Sequence, residues 1–174
     1  MGESFKRKSN RIQNYDYSQD GVYFITVCTK DNASLFGEIA VAANSVRHQF
    51  SDIGLVVDKA IANIPEIYET VEVDRYVIMP NHVHVILTIY GEQCSPPRNY
   101  ETVNGEHCSP LRNVPTISRI IKQFKGAITK QVGFSPWQKS FHDHVIRNQE
   151  DYNRVAEYIE NNPARWTDDQ YYIV

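Results

Sequence analysis

Two histidines lie one residue apart, at His82 and His84, in a segment that is otherwise apolar and rich in β-branched residues. Side chains alternate between the two faces of a β-strand, so a strand here would present both imidazoles on the same face. Two neighbouring imidazoles supply half of a metal site. The same pair also fits two polar residues on the solvated face of an edge strand, and the spacing alone leaves both interpretations open.

Two more candidates lie near the C-terminus. Tyr158 and Asn162 are four residues apart, so a helix places them one turn from each other on one face. The amide oxygen of Asn162 suits Mg²⁺ or Mn²⁺, and the phenol of Tyr158 can attack phosphorus and remain attached. A metal held by His82, His84 and Asn162 would polarise a phosphate oxygen during that attack. Alternatively, Tyr158 lies at the rim of the core and Asn162 is a helix C-cap.

The hydrophobic pattern predicts the elements that must position these side chains. Strands are predicted at 21–29, 35–41, 71–79, 82–90 and 141–147, and 46–50 extends or follows the second. The first two strands are predicted to pair as a hairpin. Helices are predicted at 51–63, 116–132 and 148–162, with Pro65 ending the first and Gly133 the second. This order favours an α+β fold, an antiparallel sheet with helices packed mainly on one face.

Length and composition bound the class of protein. The 174 residues fit one domain, residues 1–174, and 41% hydrophobic with 22% charged residues is ordinary for a soluble globular chain. No apolar run is long enough to span a bilayer, so no membrane association is expected. Three cysteines, Cys28, Cys94 and Cys108, in a chain with no evident signal peptide indicate a reducing compartment. We therefore expect a cytoplasmic protein.

Local basic clusters matter more here than the net charge of −3, which does not indicate a nucleic-acid-binding protein. The first cluster lies in the N-terminal arm and includes Lys8 and Arg11. The second, in the helix predicted at 116–132, includes Arg119, Lys122 and Lys125 and contains no acid. Such clusters suit a phosphate backbone, although a solvated helix face and a loose arm would give the same pattern.

A polar segment separates the histidine strand from the basic helix. Residues 91–99 are echoed at 105–113, with a 14-residue period that is rich in Pro, Ser, Gly and Asn. Two polar copies are too few to build a solenoid. We expect a flexible loop insertion over residues 91–115.

Three segments, taken in order, resemble the single-tyrosine HUH transposases, and most closely the REP-associated tyrosine transposases. They are residues 76–84 around the histidine pair, residues 141–148, and residues 158–163 around the tyrosine and asparagine. Tyr15-Asp16-Tyr17 and the strand at 23–29 are also similar to that family. The resemblance covers nearly the whole chain except the polar loop.

The resemblance implies a ferredoxin-like HUH nuclease domain in which His82 and His84 are the HUH pair. Tyr158 matches the nucleophile and Asn162 the third ligand of a Mg²⁺ or Mn²⁺ ion. The reaction would be cleavage of single-stranded DNA beside a palindromic hairpin, leaving a 5′-phosphotyrosine and a free 3′-OH. Rejoining would be the reverse attack, so the protein would be a DNA transposase or strand transferase.

The expected partner is therefore single-stranded or hairpin DNA, bound by Lys8, Arg11, Arg119, Lys122, Lys125 and Arg147. Arg147 could instead pair with acids of the last helix. His142 and His144, a second His-x-His pair, are expected to be structural. A monomer is favoured over the homodimer of insertion-sequence relatives, in the cytoplasm and associated with the nucleoid. Two alternatives remain: a hairpin-DNA-binding regulatory or architectural protein with little or no cleavage, and a phosphodiesterase that activates water.

Overall fold

A computed structural model of the chain describes residues 20–42, 45–90 and 115–172. The strands are β1 Gly21–Cys28, β2 Gly37–Ala42, β3 Ser45–Phe50, β4 Val71–Ile78, β5 His82–Ile89 and β6 His142–Ile146. The helices are α1 Asp52–Ala62, α2 Ile64–Ile67, α3 Ile117–Val132 and α4 Gln149–Asn161, with 3₁₀ turns at Lys30–Asn32 and Pro163–Asp168. The N-terminal arm with Lys8 and Arg11, and residues 91–114 of the predicted loop, lie outside the described residues.

Four strands form one antiparallel sheet in the order β4-β5-β1-β6. The connection from β1 through α1 to β4 straddles β5, and the connection from β5 through α3 to β6 straddles β1. Two such split β-α-β units define the ferredoxin-like arrangement. The predicted α+β class with this architecture is therefore confirmed.

The two faces of the sheet carry different helices. Alternate residues of β1 and β5, such as Ile25 and Val85, form the main core with the apolar sides of α1 and α3. On the other face, Ile86 and Ile146 pack against Val155 and Ile159 of α4. Since His82 and His84 alternate with Val83 and Val85, the histidines project from the face that α4 covers. The candidate residues of β5 and α4 therefore meet on one side of the sheet.

Local capping chemistry sets the helix boundaries where the sequence predicts them. The side chains of Ser51, Thr116 and Asn148 each accept a hydrogen bond from a backbone N–H in the first turn of α1, α3 and α4. Gly133 ends α3 in the left-handed region, with φ of 86°. No helix of the described residues is long and apolar enough to cross a membrane.

The predicted pairing of the second strand is wrong. Strand β2 does not pair with β1 but forms a separate two-stranded sheet with β3. Both edges of β1 are already occupied by β5 and β6, so no edge is left for β2. Helix α1 ends before Pro65, as predicted, with Asn63 as its C-cap. Pro65 itself lies in the first turn of the short helix α2, where the missing N–H of proline costs no helical hydrogen bond.

The close approach of α1 to the chain before β2 gives a test of the fold. A Cβ on Gly54 would lie 2.0 Å from the backbone oxygen of Phe36, whereas one on Gly126, exposed in α3, would meet nothing within 4 Å. We expect Gly54→Ala to lower the free energy of unfolding by at least about 2 kcal/mol. Gly126→Ala should raise it by about 0.5–1 kcal/mol. Urea denaturation of both variants measures this difference, and shifts of the same sign would contradict the close approach.

Candidate active site

The histidine pair opens strand β5 immediately after the turn at Pro80 and Asn81. Both imidazoles are fully buried, and their Nε2 atoms lie 3.0 Å apart. The two-residue spacing therefore brings both side chains to one point on the α4 face of the sheet. Two nitrogen lone pairs directed at one point can be shared by a single cation.

The outer nitrogens of the two rings are fixed by neighbouring oxygens. Nδ1 of His82 lies 2.8 Å from Oδ1 of Asn81, and Nδ1 of His84 lies 2.8 Å from Oγ1 of Thr26. Thr26 reaches His84 because the two residues are directly opposite each other in the β1–β5 pairing. A proton held on Nδ1 by such a bond leaves Nε2 free to act as a ligand.

Burial also keeps the two rings neutral. It lowers the pKa of His82 to about 4, against an opposing effect of the Asp169 carboxylate. Burial, reinforced by the neighbouring His82, holds the pKa of His84 well below its ordinary value. The neutral imidazole is the form that binds metal ions, so the pair is ready for a cation at neutral pH.

Tyr158 projects from α4 toward the histidines. Its hydroxyl lies 3.3 Å from Nε2 of His84 and donates a hydrogen bond of 3.2 Å to Oδ2 of Asp169. Burial raises the pKa of Tyr158 to about 12, and the negative charge of Asp169 adds to the shift. The phenol is therefore protonated at neutral pH, and a nearby positive charge would be required to make it a nucleophile.

Asn162 occupies the C-cap position of α4, and its side chain also reaches the site. Its Nδ2 donates a hydrogen bond of 2.9 Å to Oδ2 of Asp169, but its buried Oδ1 has no hydrogen-bond partner among the described residues. Leaving a buried carbonyl oxygen without a partner is costly. The atom that could serve as a ligand is therefore the one left unsatisfied.

Asp169 is the site residue that sequence reasoning missed. It follows the 3₁₀ turn at Pro163–Asp168 and accepts hydrogen bonds from Tyr158, Asn162 and the backbone N–H of Tyr171. His82, His84 and Asp169 each offer one ligand atom, and these three atoms lie within 4.8 Å of one another. Apart from two adjacent acids after Trp166, no sequence signal marks this residue, because only the turn returns it to the histidines.

Together these groups fit a divalent cation. Two imidazole nitrogens and a carboxylate oxygen lie close together, and Asn162, whose Nδ2 bonds that carboxylate, adds an unpartnered amide oxygen as a further candidate ligand. This donor set suits Mn²⁺ or Mg²⁺. The carboxylate supplies the negative charge that the predicted set of His82, His84 and Asn162 lacked.

The predicted basic residues of α3 are not brought to this point. Helix α3 packs on the opposite face of the sheet from the histidines, and Arg119 and Lys122 lie exposed on its outer side. The Nζ of Lys125 donates hydrogen bonds to the backbone oxygens of Gln138 and Ser140, at 2.9 and 2.6 Å. Burial lowers the pKa of Lys125 to about 8. Contact of these side chains with DNA stays a prediction.

The second histidine pair and Arg147 belong to β6 and the residue that follows it. Arg147 is exposed at the end of β6, and its guanidinium makes no ion pair with the described residues. His142 and His144 lie opposite Thr26 and Phe24 in the β1–β6 pairing, so they share the face of His82 and His84. The Nε2 of His144 lies 2.8 Å from Oδ2 of Asp151 in α4.

Comparisons with known proteins agree with this architecture. No protein-family model matches the chain. One similar solved structure is described as a REP-associated tyrosine transposase bound to a REP hairpin. The alignment covers 90% of this chain and 74% of the transposase chain, with a TM-score of 0.60 and 20% sequence identity. An uncharacterized protein of Haemophilus influenzae is 34% identical over 175 residues, covering 96% of this chain and 93% of that protein. The chain therefore has the fold of the REP-associated tyrosine transposase and belongs to the same protein family as the Haemophilus influenzae protein.

Proposed function

We propose that the protein is a metal-dependent single-stranded DNA endonuclease and transposase with Tyr158 as its nucleophile. The observation that carries this proposal is the position of the Tyr158 hydroxyl, 3.3 Å from the histidine nitrogen at which the candidate metal ligands meet. A phenol beside a cation site can attack a phosphate that the cation also contacts. His82, His84, Asp169 and Asn162 would hold Mn²⁺ or Mg²⁺.

The proposed step is a phosphoryl transfer that conserves the energy of the DNA backbone. The oxygen of Tyr158 forms a bond to phosphorus while the bond from phosphorus to the 3′-oxygen breaks. The products are a 5′-phosphotyrosine and a free 3′-OH; the phenol proton passes to solvent and the leaving oxygen takes one up. Attack of a 3′-OH on the phosphotyrosine reverses the step and rejoins the strand.

The bound cation would supply positive charge that stabilises the transferring phosphate and favours the phenolate. The residues of the chain do the rest. The bonds from Asn81 and Thr26 orient the two imidazoles, and Tyr158 faces the same point from α4. Burial of the histidines keeps them neutral and therefore available as ligands.

We further propose that the substrate is a DNA hairpin formed by a palindromic repeat. The solved structure with this fold is described as bound to such a hairpin, which supports this substrate class. All five candidate side chains, His82, His84, Tyr158, Asn162 and Asp169, come from one chain, so a monomer is sufficient for the proposed reaction.

A denaturing gel tests the proposal. The protein is incubated with Mn²⁺ and end-labelled single-stranded hairpin oligonucleotides, then boiled in detergent. We expect a labelled band at the mass of the protein plus DNA, and its loss when EDTA is added before the DNA. Tight binding without this band across many hairpins would indicate the regulatory DNA-binding protein instead. Cleavage without the band would indicate activated water as the nucleophile.

A further inference from the structure

An open cavity of about 660 Å³ lies in front of Tyr158, on the side toward β6. Three strands and α4 contribute to its wall: Phe24 and Thr26 from β1, His84 from β5, His144 from β6, and Arg154 and Tyr158 from α4. Asp168 and Asp169, which follow α4, line it as well. Tyr158 therefore borders a space that extends from the proposed metal ligands His84 and Asp169 to Arg154. The space is large enough for a nucleotide, and its wall combines aromatic rings, one guanidinium and two carboxylates.

Arg154 is placed at the rim of this cavity by its helix and by an acid. It precedes Tyr158 by four residues, so it lies on the same face of α4, about 6 Å along the axis. Its guanidinium pairs with the carboxylate of Asp151, which is also 2.8 Å from Nε2 of His144. The Asp151 side chain is only 13% exposed, against 73% for that of Arg154. A largely shielded acid thus fixes two donors while leaving the guanidinium accessible to a ligand.

Rings line the space between Arg154 and the histidine pair. Phe24 stacks on His84 with 5.2 Å between ring centroids and meets Tyr158 edge-on at 6.1 Å. Phe24 is only partly buried, and His144 lies directly opposite it in the β1–β6 pairing. Partly exposed rings are platforms on which unpaired bases stack without regard to sequence.

We propose that this cavity is a subsite for one unpaired nucleotide next to the cleaved bond. Its phosphate binds the guanidinium of Arg154 beside His144, and its base lies against Phe24. The fork of an arginine matches the oxygens of a phosphate. The inference rests on the proposed function, because it takes Tyr158 as the residue that the strand must pass. Arg154 then acts as a positioning residue for the strand.

Binding is measured by fluorescence anisotropy in a Tyr158→Phe background, where no adduct forms, with a labelled unpaired oligonucleotide at several salt concentrations. We expect Arg154→Ala to weaken binding about tenfold and to reduce the salt slope by about one. Arg154→Lys should recover part of the affinity, since it keeps the charge and loses the fork. Lys59→Ala, which removes an exposed cation from α1 on the other face of the sheet, is the matched control and should leave binding unchanged.

The two proposals fail separately. Equal affinities for Arg154→Ala and the Lys59 control would overturn the subsite, even if the parent protein forms the covalent adduct. A parent protein that forms no adduct, but whose DNA binding depends on Arg154, would retain the subsite and reject the tyrosine mechanism. Thermal melting of each variant shows whether loss of the Asp151 contact has altered the fold, and Arg154→Lys supplies the comparison if Arg154→Ala is unstable.

Discussion

Tyr158→Phe is expected to abolish the covalent protein–DNA adduct completely while leaving hairpin binding nearly unchanged. The substitution removes only the oxygen that would bond to phosphorus and retains the ring that packs against His84 and Phe24. The substitution removes the hydrogen bonds of the hydroxyl with Asp169 and His84, and the Tyr158 side chain is half-exposed. Each is worth about 1 kcal/mol, so the fold should persist. Denaturing gels and anisotropy on the same preparation separate chemistry from binding.

Tyr152→Phe is the matched control, because it makes the same change in the same helix. The hydroxyl of Tyr152 donates to Asp74 of β4 rather than to the histidine site. This variant should form the adduct at the rate of the parent protein. An adduct that survives in Tyr158→Phe would mean that another nucleophile attacks the DNA. If the parent protein and Tyr158→Phe both cleave the strand without forming an adduct, the reaction would be assigned to water.

The orientation of the histidines could be predicted because it depends on local geometry alone. A strand of any register places His82 and His84 on one face, and a helix of any orientation places Tyr158 and Asn162 one turn apart. The helix starts at Ser51, Thr116 and Asn148 are equally local, since each cap bonds within its own first turn. Period and capping therefore predict most elements and the shared faces of the candidate site residues.

Features that depend on long-range pairing could not be predicted in this way. The sequence of β2 gives no sign that both edges of β1 are occupied, so its pairing with β3 was missed. The contact of Thr26 with His84 depends on the register of β1 and β5 across 58 residues. The side of the sheet on which Arg119 and Lys122 lie follows from the crossover through α3. The amphipathic pattern of α3 shows which side of the helix faces solvent, but not whether that side faces the DNA.

Asp169 illustrates the same limit at the site itself. The segment after Pro163 has neither helical nor strand periodicity, and its acids resemble an ordinary solvated surface. The 3₁₀ turn reverses the chain and places one carboxylate against Tyr158 and Asn162, while Asp168 remains exposed. The charge that the proposed metal site uses therefore lies in the part of the sequence with the weakest pattern.

That charge leads to the second large expected effect, on metal binding. We expect Asp169→Asn to weaken Mn²⁺ binding by at least about tenfold, because it replaces the one anionic candidate ligand found beside the histidines among the described residues with a neutral amide. Asn162→Ala should weaken binding less, since it removes a neutral oxygen. Isothermal titration with Mn²⁺ in the absence of DNA measures both changes directly.

Asp168→Asn is the matched control, an identical substitution one residue away at an exposed carboxylate, and should bind Mn²⁺ like the parent protein. If Asp169 is a ligand, adduct formation by Asp169→Asn should be restored by raising the Mn²⁺ concentration above the weakened dissociation constant. If Asp169 serves only to hold Tyr158 and Asn162 through hydrogen bonds, the affinity for Mn²⁺ would not change and added Mn²⁺ would restore nothing.

The asparagine variant also removes a negative charge that raises the pKa of Tyr158. Loss of that charge lowers the pKa of Tyr158, so it should not slow the reaction. At saturating Mn²⁺, Asp169→Asn should therefore form the adduct at least as fast as the parent protein. A slower rate that persists at saturation would argue against Asp169 as a metal ligand.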